Sequence, residues 1–266
     1  METHRVTADV SVLGDHAEIP GIGFLPVNAY VLHAEQPVVV DTGLSTPGKD
    51  FLADLAEVID PADVRWVWIT HPDRDHTGGV WDLLEAAPQA RLVTTFLGMG
   101  IMSTEWEVPL DRVYLLNPGQ SLDVGDRTLT GHRPPLFDNP ATVGFLDSSS
   151  GAFFSSDCFG APLPDAALAT GGDARAVADD DRRAGQLLWA SIDSPWVHWV
   201  DRASYGTAVD AVQALDPSGI FSSHLPPAVG MNDQLIEALR EAPDAPDFVG
   251  PDQVALEALL ATFEPA

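Results

Sequence analysis

The segment His71-Pro72-Asp73-Arg74-Asp75-His76 places two imidazoles and two carboxylates within six residues. Imidazole nitrogen and carboxylate oxygen together suit zinc, iron or manganese. In an extended loop, residues 71 and 73 point one way while 75 and 76 reach a neighbouring point, so one short loop can serve two ions. The bland alternative is an acidic surface turn with two incidental histidines. Position argues against it. Val64 to Thr70 is a nearly continuous apolar run that reads as a buried strand, and the loop follows its C-terminal end, where open α/β sheets place their sites.

Further metal-ligand side chains stand at other strand ends. His132 ends the strand expected from Arg127. Asp157 follows Ala152 to Ser156 in Phe154-Ser155-Ser156-Asp157-Cys158-Phe159-Gly160. His224 follows Gly219 to Ser223 in Ser222-Ser223-His224-Leu225-Pro226-Pro227. Singly, each reads as a capping Asp or a hydrogen-bonded His. Together with the loop they form a pattern that a shared sheet rim would gather.

The elements that must do the gathering follow from period and punctuation. Val6 to Leu13, Asn28 to His33 and Pro37 to Asp41 read as strands, the last ending in the turn residues Asp41-Thr42-Gly43. Phe51 to Ile59 has helical spacing and Pro61 stops it. After the metal loop, Gly78-Gly79 breaks the chain, Val80 to Ala87 reads as a helix and Ala90 to Thr94 as a strand. From Asn28 the order is β-β-α-β-α-β. Val113 to Leu116, Ser121 to Val124 and Arg127 to His132 are candidate strands, and Thr142 to Asp147 with Ala152 to Ser156 a hairpin. Residues 161 to 181, rich in Ala, Asp, Pro and Gly, read as a long loop or lid. Arg183 to Leu215 holds two helical stretches, Gly219 to Ser223 a last strand, and two short helices finish the chain. The expectation is one α/β domain over residues 1–266.

The ordered set His71-x-Asp73-x-Asp75-His76, then His132, Asp157 and His224, resembles the metallo-β-lactamase fold superfamily, whose signature is His-x-His-x-Asp-His followed by a distant His, Asp and His. The resemblance runs from about residue 20 to 230 and includes Asp41-Thr42-Gly43, similar to the family's strand-end Asp motif. It implies a four-layer αββα sandwich with metals at one edge. By position, one metal would take His71, Asp73 and His132, the other Asp75, His76 and His224, with Asp157 bridging and Asp41 orienting ligands by hydrogen bonds. Asp73 departs from the superfamily pattern, which has His there. The flavodiiron and oxygen-binding di-iron branch carries Glu at that position, and Ser155 to Gly160 and Ser223-His224-Leu225-Pro226-Pro227 also resemble that branch. Another departure is the length between His132 and Asp157, carried by the proline-rich stretch Arg133 to Ala141.

Two function classes follow. The resemblance favours a non-haem di-iron protein binding or reducing O2 or NO, with two metal ions, iron preferred and zinc or manganese as alternatives. The other is a metallo-hydrolase in which a metal-bound hydroxide attacks an ester, thioester, lactone or phosphodiester, with Asp75 orienting the nucleophile or accepting its proton. Flavodiiron enzymes carry a flavodoxin domain; this chain has no flavin-phosphate loop, so no flavin is expected within it and a separate electron-donor protein would feed it. Those relatives pair head to tail so that a flavin meets a neighbour's metals, which leaves a homodimer open here without that reason for one.

Composition narrows the partners. With 13 basic and 40 acidic residues, a net charge of −27 repels nucleic acid and anionic lipid. No apolar run approaches the roughly 18 residues a membrane span needs, and Met1 to Arg5 does not open a signal peptide, so a cytoplasmic location is the expectation. A single cysteine, Cys158, excludes an intramolecular disulfide and a Cys₄ cluster. Arg74 would either meet an anionic substrate or pair with a carboxylate. Tyr205, His198, His4, His16 and His33 read as packed or surface groups.

Overall fold

A computed structural model describes residues 1–46 and 49–261 of the chain. Val38, Val39 and Val40 show how its layers arise. Successive side chains of a strand face opposite ways, so Val38 and Val40 enter the core between two sheets while Val39 enters a second core under helices. The same alternation sends Phe154 into the middle layer and Phe153 into a third core on the far side.

The first sheet has seven strands in chain order: β1 (Glu2–Arg5), β2 (Val10–Ile19), β3 (Gly23–Leu32), β4 (Val38–Val40), β5 (Trp66–Trp68), β6 (Arg91–Thr94) and β7 (Val113–Leu115). β4 to β7 are parallel, joined by α1 (Phe51–Ala56), α2 (Val80–Ala86) and α3 (Phe96–Met102), and those helices cover its outer face. The second sheet is built from β8 (Ser121–Asp123), β9 (Thr128–His132), β10 (Gly144–Asp147), β11 (Ala152–Phe154), β12 (Gly219–Phe221) and β13 (Ala228–Val229). The helices α5 (Asp179–Asp193), α6 (Arg202–Ala214) and α7 (Asn232–Glu241) pack on its outer face, α4 (Ala166–Ala169) packs on the β2–β3 hairpin, and α8 (Gln253–Leu260) closes the described chain. This is the expected four-layer αββα sandwich.

The middle layer is aromatic. Phe145 and Phe154 stack with ring centres 4.5 Å apart, Phe221 stacks on Phe154 at 5.1 Å, and Trp68 leans on Phe145 at 4.5 Å. Buried Trp68 donates its indole N–H to the Val143 carbonyl (2.9 Å), and the Tyr30 hydroxyl donates to the Ser222 backbone carbonyl, so the polar ends of both rings are satisfied across the two sheets.

Several boundaries differ from the sequence reading. The strand expected at Val6 to Leu13 begins at Val10, with β1 before it. β2 and β3 pair over ten residues, from Val10 with Leu32 to Ile19 with Gly23, far past the polar Gly14-Asp15-His16 where alternation fades. α3 carries two glycines, which hid its helical character. The 161–181 stretch is not one long loop. It holds α4, a short 3-10 turn at Ala174–Ala176 and the first turn of α5. Leu163 pairs with Phe24 through both backbone groups, and Ala161 N donates to the His224 carbonyl, so the stretch is tied to the hairpin and to the site rather than lying over it. Three aspartates at the start of α5 complement its dipole, and Pro195 follows its end.

Candidate metal centre

Parallel strands end together, and here the ends of β4, β5, β11 and β12 share one rim. Asp41 follows β4, His71 follows β5 after Ile69-Thr70, Asp157 follows β11 and His224 follows β12. Two turns are made with left-handed backbone at non-glycine residues, Asp41 (φ 55°) and Ser156 (φ 55°). Such conformations cost about 1–3 kcal/mol each and persist where the surroundings over-determine them. The metal loop folds on itself, with His76 N and Thr77 N both donating to the Asp73 carbonyl, and docks through Thr42 N on the His76 carbonyl at 2.8 Å. A Cβ on Gly78 would lie 2.3–2.4 Å from the backbone of residues 43–45, so only glycine lets the loop sit this close.

Three imidazoles aim Nε2 at one carboxylate. Asp157 Oδ2 lies 3.3 Å from His71 Nε2, and its Oδ1 lies 3.1 Å from His76 Nε2 and 3.2 Å from His224 Nε2. Asp75 Oδ2 stands 3.3 Å from His224 Nε2 and 3.6 Å from His76 Nε2. On the other side Asp73 Oδ2 and Asp138 Oδ1 stand 3.8 and 3.7 Å from His71 Nε2. Two donor sets therefore meet at Asp157: His71, Asp73 and Asp138 on one side, Asp75, His76 and His224 on the other.

The opposite ring nitrogens fix the tautomers. His224 Nδ1 donates to the Pro26 carbonyl (2.7 Å), and His76 Nδ1 to Asp41 Oδ2 (2.8 Å). His71 Nδ1 lies 3.1 Å from Ser156 Oγ, whose own proton goes to Thr70 Oγ1, which donates in turn to Asp41 Oδ2. Each ring is thus held by an acceptor on Nδ1, which leaves Nε2 as the lone-pair face of a neutral imidazole, the arrangement of a metal ligand. Asp41 also accepts from Thr70 N and Ser223 Oγ. Asn139 Nδ2 donates to Asp73 Oδ1 (2.9 Å), which leaves Asp73 Oδ2 facing His71 Nε2.

Among the protein groups alone, these charges are poorly balanced. Burial raises Asp193 at the end of α5 to about 8, with repulsion from Asp157 and Asp138 adding to it. Partial burial, helped by Asp157 and Asp73, raises Asp138 to about 6 against the pull of His71. Burial would lower His224, but Asp157 and Asp75 outweigh it and raise the ring to about 10. Burial would raise Asp157 and Asp75; the facing imidazoles outweigh it and hold both carboxyls below their usual range. His76 Nε2 and Asp157 Oδ1 are both buried and neither makes a hydrogen bond, although they lie 3.1 Å apart. Two facing polar atoms without a hydrogen-bond partner fit a shared cation. The donor set, oxygen-rich with three imidazoles, is chemically suited to a pair of first-row metal ions.

Six of the seven expected ligands, His71, Asp73, Asp75, His76, Asp157 and His224, come together, and Asp41 sits behind them. His132 does not join them. It pairs with Gly144 in the β9–β10 ladder, and alternation turns its ring to the outer face of the second sheet, 6.2 Å from Phe153. The chain then runs on through Arg133-Pro134-Pro135 and brings Asp138 to the place proposed for His132. The length of this stretch is visible in the sequence, and Asp138 is its one carboxylate; an Asp followed by Asn139-Pro140 just before a strand is the signal that marks it. Asp193 was missed too, since a lone Asp near the end of an amphipathic helix carries no mark of its own. Arg74 pairs with Glu105 (2.6 Å) over Trp106. Cys158 is buried, and burial pushes its thiol far up. Tyr205 donates to the Leu239 carbonyl inside the helical layer.

Comparison with known proteins agrees with the fold. Residues 22–147 match the family described as the metallo-beta-lactamase superfamily. The chain is 24% identical over 225 residues to the rubredoxin-oxygen oxidoreductase of Megalodesulfovibrio gigas, covering 85% of this chain and 47% of that protein. It spans about half the length of the curated relatives it matches. A flavodiiron protein from Giardia intestinalis superposes with a TM-score of 0.76 at 17% identity, covering 91% of this chain and 58% of the other. A diflavin flavoprotein fragment from Nostoc sp. superposes at 0.73 and 17% identity, covering 92% of this chain and 96% of the fragment.

Proposed function

This chain contains a metallo-β-lactamase superfamily domain similar to those of flavodiiron proteins, and from that premise we propose that it is a di-iron domain that binds or reduces O2 or NO. The observation that carries the reading is the convergence on Asp157 of three Nε2 atoms together with the carboxylates of Asp73, Asp75 and Asp138. A set in which carboxylates outnumber imidazoles is harder than the histidine-rich zinc pattern and favours iron or manganese. A pair of irons, when bound, supplies the electrons and the open coordination that a diatomic oxidant requires.

The chain's own residues do the rest. Asp157 holds the two positions together. Asp41, through Thr70 and Ser156 on one side and directly on the other, keeps His71 and His76 in the tautomer that presents Nε2. Pro26 does the same for His224 from the long β2–β3 hairpin. Asp73 and Asp75, exposed at 44% and 28% of their side chains, are ligands open to a reactant or to proton exchange with solvent. Electrons would arrive from a donor outside the described residues.

The test is gas consumption by anaerobically iron-loaded protein given an artificial one-electron reductant. O2 or NO uptake that depends on iron, and is lost in Asp157→Ala, is expected. Tightly held zinc, turnover of model esters and no uptake of either gas would move the protein to the hydrolytic class.

A further inference from the structure

Of the three imidazoles at the centre, His224 has the least hydrogen-bonded support. The rings of His71 and His76 are both tied into the Asp41 network, through Ser156 and Thr70 or directly, whereas the His224 ring has one such bond, from Nδ1 to the Pro26 carbonyl. The torsion that turns an imidazole about its Cβ–Cγ bond is broad and has no stiff minimum. One hydrogen bond therefore pins one ring atom, and the plane of the ring is set by what packs against it.

Two rings do so. His76 meets His224 with ring centres 5.5 Å apart at 80°, and Trp189 of α5 meets it at 5.0 Å and 64°. His76 belongs to the donor set itself; Trp189 is the flanking ring that does not. The backbone holds this pair closely. A Cβ on Gly160 would lie 2.5 Å from Trp189 Cδ1, 2.6 Å from its Nε1 and 2.8 Å from His224 Cβ, so only a bare Cα fits against both side chains. Next to it, Ala161 N donates to the His224 carbonyl at 2.8 Å. α5 is seated on the same segment a turn earlier, where a Cβ on Gly185 would lie 2.5 Å from the Pro162 carbonyl oxygen. Trp189 and Gly160 border a cavity of about 10 Å³ with Asp157 and Asp193. That is room for no more than one water, so neither ring has space to swing.

The indole N–H does not account for the tryptophan. Nε1 is buried and has no acceptor among the described residues, and a buried donor left unpaired costs about 1–3 kcal/mol. What this side chain contributes is its ring.

We infer that Trp189 is a positioning residue for the metal position formed by Asp75, His76 and His224. Its ring, held by Gly160 and by the seat of α5, fixes the plane of the His224 imidazole so that Nε2 faces Asp157 and Asp75. The inference rests on the two-metal reading. It makes the placement of α5 a determinant of one metal position and not of the other.

The experiment titrates chelator-stripped full-length chain with Co²⁺, whose visible d–d bands report ligand geometry, in competition with a chromophoric chelator. His224→Ala and His71→Ala identify the bands and the dissociation constant of each position. Trp189→Leu should weaken the position that His224→Ala removes by about tenfold, the usual effect of a partner behind a metal ligand, and shift its bands, with the His71 position unchanged. Trp189→Phe, which keeps a ring and lacks the N–H, should restore both affinity and bands. Gly160→Ala, which drives a methyl between the two side chains, should behave as Trp189→Leu. Urea unfolding of each variant reads stability separately, since a purely structural role lowers it without telling the two positions apart. Two Co²⁺ in wild type, with both positions or neither weakened in Trp189→Leu, or with Trp189→Phe no better than Trp189→Leu, would overturn the role of Trp189 and leave the two-metal reading standing. Saturation of wild type at one Co²⁺ or none would overturn both.

Discussion

Replacing Asp41 by Asn separates what this residue does from where it sits. Asparagine tolerates the left-handed backbone that Asp41 adopts (φ 55°), so the turn survives. The hydrogen bonds do not. Oδ1 accepts from Thr70 N at 2.8 Å, while Oδ2 accepts from Thr70 Oγ1 (2.9 Å), His76 Nδ1 (2.8 Å) and Ser223 Oγ (3.1 Å). With the amide oxygen kept against Thr70 N, the amide nitrogen faces three donors. The two hydroxyls can rotate; the His76 Nδ1–H cannot. The imidazole must move its proton to Nε2, which then has no lone pair for a metal. The loss is one charge-assisted hydrogen bond, about 1.5–3 kcal/mol, equivalent to roughly 10- to 100-fold in affinity and in line with the usual effect of partners behind metal ligands. Competition with a chromophoric chelator measures it. The position bearing His76 should weaken by that factor, and the one bearing His71 by less, because two hydroxyls intervene. A folded Asp41→Asn protein with unchanged affinity at both positions would refute the claim that Asp41 sets the tautomer.

Asp138→Ala should cut metal affinity at the His71 position by at least about tenfold, whereas His132→Ala should leave metal content as in wild type; inductively coupled plasma mass spectrometry of both variants decides between the two residues. Chelator-stripped protein should melt at lower temperature as pH rises from about 6 to about 9. The sign follows from two groups raised on folding: His224, from 6.5 to about 10, favours the fold fully below 6.5 and loses that contribution as pH climbs through 10. Asp193, from 3.8 to about 8, likewise favours the fold only while it holds its proton. Asp75 and Asp157, held low, change only in acid and do not enter this window, so a melting temperature that rises across it would contradict the assignment. Phe154→Ala empties the centre of the aromatic stack between the sheets and should destabilise by about 3–5 kcal/mol, read by urea unfolding; a loss under about 1 kcal/mol would mean the stack relaxes freely.

Much of the site could be read from the sequence because its ligands follow strands whose patterns are plain. Val64 to Thr70 announces a buried strand, so His71 could be placed at a rim before any fold was known. Asp157 and His224 follow runs of the same kind. His132 shows the limit of that reasoning. Being at a strand end does not say which face a side chain takes, and a one-residue phase decides it. Asp138 lies in irregular backbone, where no period constrains direction. Asp193 lies on a helix, where its meaning depends on a cavity formed with residues more than thirty positions away. The β2–β3 hairpin runs past Gly14-Asp15-His16 on backbone pairing, where alternation in the sequence gives no sign of it.

The proposed pair of irons would sit at the two imidazole-bearing positions. Mössbauer spectroscopy of anaerobic protein loaded with ⁵⁷Fe²⁺, with iron counted per chain, tests it most directly. Two high-spin ferrous ions per chain in nitrogen- and oxygen-rich surroundings, both reduced in intensity by His76→Ala and Asp157→Ala, are expected. One iron or none per folded chain, or iron that stays fully bound in both variants, would contradict it.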